Sequence, residues 1–215
     1  ARKVTFFGFP PNGIVWDNRA SLLDPKTGLF WCRAADQQGN ILSFDPRTNT
    51  FTKYPETSPW RIRTYTPRRS SDGSFWVLTK GDGMIFKFWP DTRKVQPVTN
   101  QWKNSGYCPR IAMTADGRYF YYMAGLDLTT PGGWYREQPI VQFDTKTSKR
   151  KVIAFVTDYY FEKYGYVMMI PFGMAVSRDG STLVINLNGA FKPRVEPLYG
   201  NPALMVVHIP KGERE

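Results

Sequence analysis

The side chains able to do chemistry fall into three sets. The first is cationic and aromatic: Arg33, Arg61, Arg63, Arg110 and Lys163, with Trp60, Trp102 and Tyr107 in the same stretches. A guanidinium fork bonds two carboxylate or phosphate oxygens at once, and an aromatic face beside it suits a stacked sugar ring. The same pairing suits single-stranded nucleic acid. Trp60 and Trp102 read equally as wedges between packed sheets. The second set is Asn12, Asp36, Asn104 and Asn188, oxygen donors for a divalent cation, Ca²⁺ or Mg²⁺, assembled from distant parts of the chain. No D-x-D-x-D-G loop supplies a local calcium site. The third set is small. His208 is the lone histidine and reads as a packed strand residue in ALMVVHIP; Cys32 and Cys108 read as inert buried thiols kept apart on different repeat units.

Several chemistries lack their residues. There is no C-x-x-C, C-x-x-C-H, G-x-S-x-G, H-E-x-x-H, Walker loop or G-x-G-x-x-G. Haem and nucleotide motifs are therefore absent, as is a Cys/His zinc site. Lys and Arg number 29 against 18 Asp and Glu, a net charge of +11 that favours anionic partners. The clusters Arg61, Arg63, Arg68, Arg69 and Lys146, Lys149, Arg150, Lys151 read as solvated faces. No element able to read a DNA groove is visible, which leaves nucleic acid a distant third partner. No apolar run is long enough for a membrane-spanning helix.

The elements that must position these residues repeat. GLFWCRA (28–34) returns as GSFWVLT (73–79), GRYFYYM (117–123) and GSTLVIN (180–186). Three copies follow Asp-Gly, a turn signal because Gly accepts positive φ. A second text follows: ILSFDPRTNTF, MIFKFWPDTRKV and IVQFDTKTSKRKV. Each is strand, turn, strand, with Asp and Pro suited to the turn. The units therefore read as four short strands each, a to d, which is one blade of a β-propeller. The predicted fold is an all-β propeller of antiparallel four-stranded blades, near 10–55, 56–99, 100–156 and 157–210, forming one domain or part of one. DYYFEKYGY (158–166) reads equally as a short helix.

The fourth unit lacks its strand d, and the surplus N-terminal text RKVTFF (2–7) resembles the strand-d text RKVIAF (150–155). Strand exchange between the ends would close the sheet. Either four blades close on themselves, or the chain is part of a ring of six to eight, completed upstream or by a second chain.

FDPRTNTFTKYP and PFGMAVSRDGSTLVINLNG resemble blades of the streptogramin-lyase and gluconolactonase (regucalcin-type) propeller superfamily. That resemblance implies a metal-assisted lyase or lactone hydrolase. The lyases use a histidine base near a divalent metal, whereas His208 stands in a strand text. The lactonases hold a metal with Glu, Asn and Asp at the channel mouth.

In a propeller the mouth is built by the d–a and b–c loops. Here these are 10–16, 55–63, 99–110 and 157–172, with 33–40, 80–83, 124–139 and 188–202. The last two are long, and insertions on one face mark a binding face. Arg110, at the head of a strand a, is the foremost mouth residue. The expected function is binding of an anionic small molecule or acidic glycan at this mouth. The alternative is a non-enzymatic interaction scaffold, or one part of a split propeller.

Overall fold

The computed structural model describes residues 4–7, 16–34, 40–54, 61–102, 108–124, 138–191 and 200–214. Each repeat folds as an antiparallel meander. The first blade is β1 (Trp16–Leu23), β2 (Phe30–Ala34), β3 (Ile41–Asp45) and β4 (Thr50–Tyr54). The second is β5 (Ile62–Tyr65), β6 (Phe75–Thr79), β7 (Met84–Trp89) and β8 (Lys94–Asn100). The third is β9 (Ile111–Met113), β10 (Tyr119–Met123), β11 (Pro139–Asp144) and β12 (Lys149–Phe155). After the helix α1 (Thr157–Tyr164), the fourth is β13 (Val167–Val176), β14 (Thr182–Ala190) and β15 (Asn201–His208). This is the four-bladed β-propeller arrangement.

The turn chemistry is that of the repeat. Gly28, Gly73, Gly117 and Gly180 all take positive φ, between 73° and 82°. Asp72, Asp116 and Asp179 each accept the backbone N–H two residues on, at 3.0, 3.0 and 3.1 Å. Between the third and fourth strands, Asn49, Arg93 and Ser148 share φ of 56–59°, a left-handed position that these turns impose on whatever residue stands there. Because the meanders alternate, these tight turns gather at one end of the blades. The longer connections gather at the other end, here called the loop end.

Apolar clusters join the blades in order. The first two interfaces set a large ring of one blade against a Phe of the next: Trp31 on Phe88 at 5.2 Å, Trp76 on Phe143 at 4.9 Å. Tyr121 holds the same place in the third blade and packs into the cluster shared with the fourth. Matching turn bonds (Leu29, Ser74, Tyr119 and Thr182 accept alike) put Val184 at that place in the fourth blade. The inner strands of the second and third blades, β5, β6, β9 and β10, are buried on both faces. Strand β15 alternates instead, with Leu204 68% and Val206 50% exposed on the face turned away from the third blade. The three clusters link blades one to two, two to three and three to four; among the described residues none links four to one.

The fourth sheet has three strands, and residues 4–7 belong to no strand. The expected exchange of an N-terminal strand into that sheet is thus not made among the described residues. Phe7 packs edge-on against Phe44 of the first blade, 5.4 Å between centroids, and Val4 and Phe6 stand exposed.

The basic cluster of the second blade is not simply solvated. Arg69 donates to Asp24 through Nε (3.1 Å) and Nη2 (2.6 Å), and to Asp91 through Nη1 (2.9 Å). Asp24 is fully buried. Arg68 donates Nη1 to the Ala115 carbonyl of the third blade at 2.8 Å. Adjacent arginines therefore tie the second blade to both neighbours. Burial alone would raise the Asp24 pKa. Hydrogen bonds from Arg69, Thr27 and the Lys26 N–H, with the Arg69 charge, bring it below the usual value. Hydrogen bonds from Arg69 and then Lys26 hold Asp91 down at about 2.

Candidate functional site at the loop end

The sequence puts arginines where strands meet the loop end, and Arg33, Arg63 and Arg110 stand there on three consecutive blades. Arg63 lies at an irregularity in the β5–β6 pairing and is nearly buried. Arg110 stands just before β9, donating Nε to the Phe172 carbonyl (2.7 Å) and Nη1 to the Pro109 carbonyl (3.0 Å). Both charges bear on the Cys108 thiol. Burial pushes it up to about 12, while the charges of Arg63 and Arg110 both pull it down, so both guanidiniums act on one buried sulfur. Cys108 also donates Sγ–H to the Arg110 carbonyl at 3.4 Å. Arg33, at the loop end of β2, acts on Tyr65, whose phenol burial lifts well above its ordinary value. Tyr65 is two residues along β5 from Arg63, so the three cations line consecutive blades.

The other predicted ligand-binding residues are dispersed. Arg61 is exposed just before β5, and its carbonyl accepts the Lys80 N–H at 2.7 Å. Trp102 packs against the cluster between blades two and three, with the Arg150 guanidinium 5.8 Å over its ring, which is the wedge position. Lys163 is on α1, donating to Tyr159 Oη at 2.8 Å and lying over the Tyr159 and Tyr164 rings. It serves the helix's own aromatic surface. Trp60 and Tyr107 lie outside the described residues.

Of the oxygen donors proposed for a cation, Asn12, Asp36 and Asn104 lie outside the described residues. Asn188 is not in a loop: β14 runs through it to Ala190, and its Oδ1 accepts the Gly189 N–H at 3.1 Å. Among the described residues no three His, Cys, Asp or Glu side chains come together. His208 is a further correction. It ends β15 exposed, and Val207, opposite Leu183, packs against the core in the place of Phe44, Phe88 and Phe143. Cys32 and Cys108 are both buried and are not joined in a disulfide.

Sequence reasoning did not single out a pocket of about 400 Å³ beside α1, lined by Gln138, Phe155, Val156, Thr157 and Asp158. Its sequence signals are the length of the adjoining 124–139 connection and the 157–172 connection that holds Thr157 and Asp158. Helix α1 itself closes on Gly165, whose φ of 63° lets its N–H return to the Phe161 carbonyl.

No protein-family model and no curated protein matches the chain. Solved structures do. Kuenenia stuttgartiensis hydrazine synthase superposes with a TM-score of 0.59 at 14% identity, over 94% of this chain and 49% of that one. A structural-genomics protein of unknown function from Bacteroides thetaiotaomicron gives 0.52 at 11%, over 77% and 43%. The nidogen/laminin complex gives 0.52 at 14%, over 84% and 57%. These likenesses carry the β-propeller fold. The chain spans about half the length of the structures it matches.

Proposed function

We propose that the chain is a propeller module that binds an anionic ligand, a carboxylate-bearing small molecule or acidic saccharide, at its loop end. The observation that supports this reading is the placement of Arg33, Arg63 and Arg110 at the loop ends of consecutive blades, with Arg110 held by the Phe172 and Pro109 carbonyls. Guanidiniums from separate strands, one of them fixed by two carbonyl hydrogen bonds, suit a carboxylate receptor. The net charge of +11 draws anions toward it. A metal-assisted lyase or lactonase would need oxygen donors around the same mouth. The described candidate, Asn188, accepts the Gly189 N–H at its side-chain oxygen and stands in strand β14.

Calorimetric titration with an oligogalacturonate tests the reading. Binding should occur, weaken as salt rises, and fall about tenfold in Arg110→Gln, roughly the 1.4 kcal/mol of one lost charge-assisted contact. Equal binding by Arg110→Gln with native circular dichroism, or no binding at all, overturns it.

A second reading is a non-enzymatic scaffold that is one part of a larger propeller. It is supported by the uncovered outward face of the fourth blade and by the half-length match to solved propellers.

A further inference from the structure

We infer that the pocket beside α1 is a sugar-ring subsite, taking the hydroxyl groups of an acidic saccharide whose carboxylate the loop-end arginines hold. The inference rests on the anionic-ligand reading and adds a neutral set of contacts to it.

The third blade and the helix build the pocket together. Pro139 pairs with Phe155 across β11 and β12, so Gln138 and Phe155 stand side by side at the loop end of that pair, and both line the cavity. The Gln138 N–H donates to Thr157 Oγ1 at 3.4 Å, tying the head of β11 to the first turn of α1. Gln138 is 2% exposed. Its Nε2 donates to the Met169 carbonyl at 2.6 Å, which fixes which end of the amide is oxygen. That oxygen, Oε1, is buried and meets no donor among the described residues. A buried acceptor in this state calls for a donor from outside the chain. Val156, at the cap position of α1, supplies no side-chain acceptor for the first-turn N–H groups. Asp158 brings a carboxylate to the cavity, and Phe155 a half-exposed ring.

This mixture selects among ligands. A simple anion suits the uncapped helix end but faces the Asp158 carboxylate and brings no proton to Gln138. An ammonium serves Gln138 and Asp158 but meets the positive end of the helix and a chain charge of +11. A sugar hydroxyl donates and accepts at once. One ring can therefore give protons to Gln138 Oε1 and Asp158, offer lone pairs to the α1 N–H groups, and lay its C–H face on Phe155.

The pocket and the arginine site share a support. Gln138 is held by the Met169 carbonyl and Arg110 by the Phe172 carbonyl, both on β13. Three residues of strand separate them, roughly 10 Å. An oligosaccharide of a few units spans that length, with a carboxylate on Arg110 and a neighbouring ring in the pocket.

Calorimetric titration of the 215-residue chain with an oligogalacturonate, repeated at several salt concentrations, tests this. Phe155→Ala removes an exposed ring and should keep a native circular dichroism spectrum. Gln138→Met removes the buried acceptor; if it fails to fold, Phe155→Ala alone decides. Each should weaken binding about three- to tenfold and leave the salt dependence as steep as in the parent, because neither contact is charged. Arg110→Gln should weaken binding and flatten that dependence. Undiminished affinity in Phe155→Ala, with Arg110→Gln weakened, overturns the subsite and leaves the anionic-ligand reading standing. Weakening in the pocket variants with Arg110→Gln unchanged overturns the arginine assignment and keeps the pocket. No binding by the parent overturns both.

Discussion

Replacing Arg69 with Met leaves the Asp24 carboxylate buried with only the Thr27 hydroxyl and the Lys26 N–H as donors. Arg69 is itself 9% exposed and Asp24 0%, so water cannot take the place of the lost guanidinium. Stranding one member of such a pair costs about 3–5 kcal/mol. Asp91, the second partner, is half exposed and keeps Lys26 at 2.9 Å. Its contribution falls in the surface range, about 0–1 kcal/mol. Arg69→Met should therefore lose about 3–5 kcal/mol and Asp91→Asn under about 1 kcal/mol. Urea unfolding followed by tryptophan fluorescence reads the interfaces directly, because Trp31 and Trp76 lie in the first two. The pH dependence gives a second check. In the parent the Asp24 pKa is depressed, so its stabilisation is present above the ordinary carboxylate value and lost as pH falls through the folded one. Without Arg69, burial raises that pKa, and the gap between parent and variant should narrow on acidification. A loss below about 1 kcal/mol, or equal costs for Asp24→Asn and Asp91→Asn, would refute the assignment of a buried inter-blade ion pair.

Two further outcomes follow from the same geometry. A Cβ at Gly189 would stand 2.2 Å from the Val167 carbonyl and 2.6 Å from the Tyr166 ring, whereas one at Gly28 meets open space at a φ of +73°. Gly189→Ala should then cost about 3 kcal/mol and Gly28→Ala about 1–2 kcal/mol in thermal or urea unfolding; equal costs would sink the contrast. Asp91 and Asp179 are both held at about 2, by Arg69 and Lys26 in one case and by Ser177 and Ser181 in the other. Their stabilisation is complete above the usual carboxylate range and lost as pH falls toward 2, so the urea midpoint should hold from pH 7 to 5 and drop only below about 4. A midpoint already falling between pH 7 and 5 contradicts that.

The blades were legible because turn and strand chemistry are local. Asp72-Gly73, Asp116-Gly117 and Asp179-Gly180 each need positive φ and an Asx bond, both dictated by neighbours in sequence. The placement of Arg33, Arg63 and Arg110 was partly legible, since each ends or begins a strand at the loop end. That Arg63 of the second blade and Arg110 beside the third both bear on the Cys108 thiol is a relation across blades that no spacing encodes. Arg69 misled for the same reason, its carboxylate partner Asp24 lying 45 residues away on another blade. His208 misled through register: a one-residue slip moved it out of the packed row and put Val207 there.

Among the described residues the apolar clusters join each blade only to its neighbours in sequence, and that order also bears on how the blades come apart. A linear array of coupled units opens from its ends, because an end unit breaks one interface and a central unit breaks two. Amide protection is therefore graded along the polypeptide. It peaks in the backbones of β6 and β10, covered on both sides, and declines toward β15 and the first blade. Joining the ends would abolish that gradient and convert a sequence of partial openings into one cooperative event.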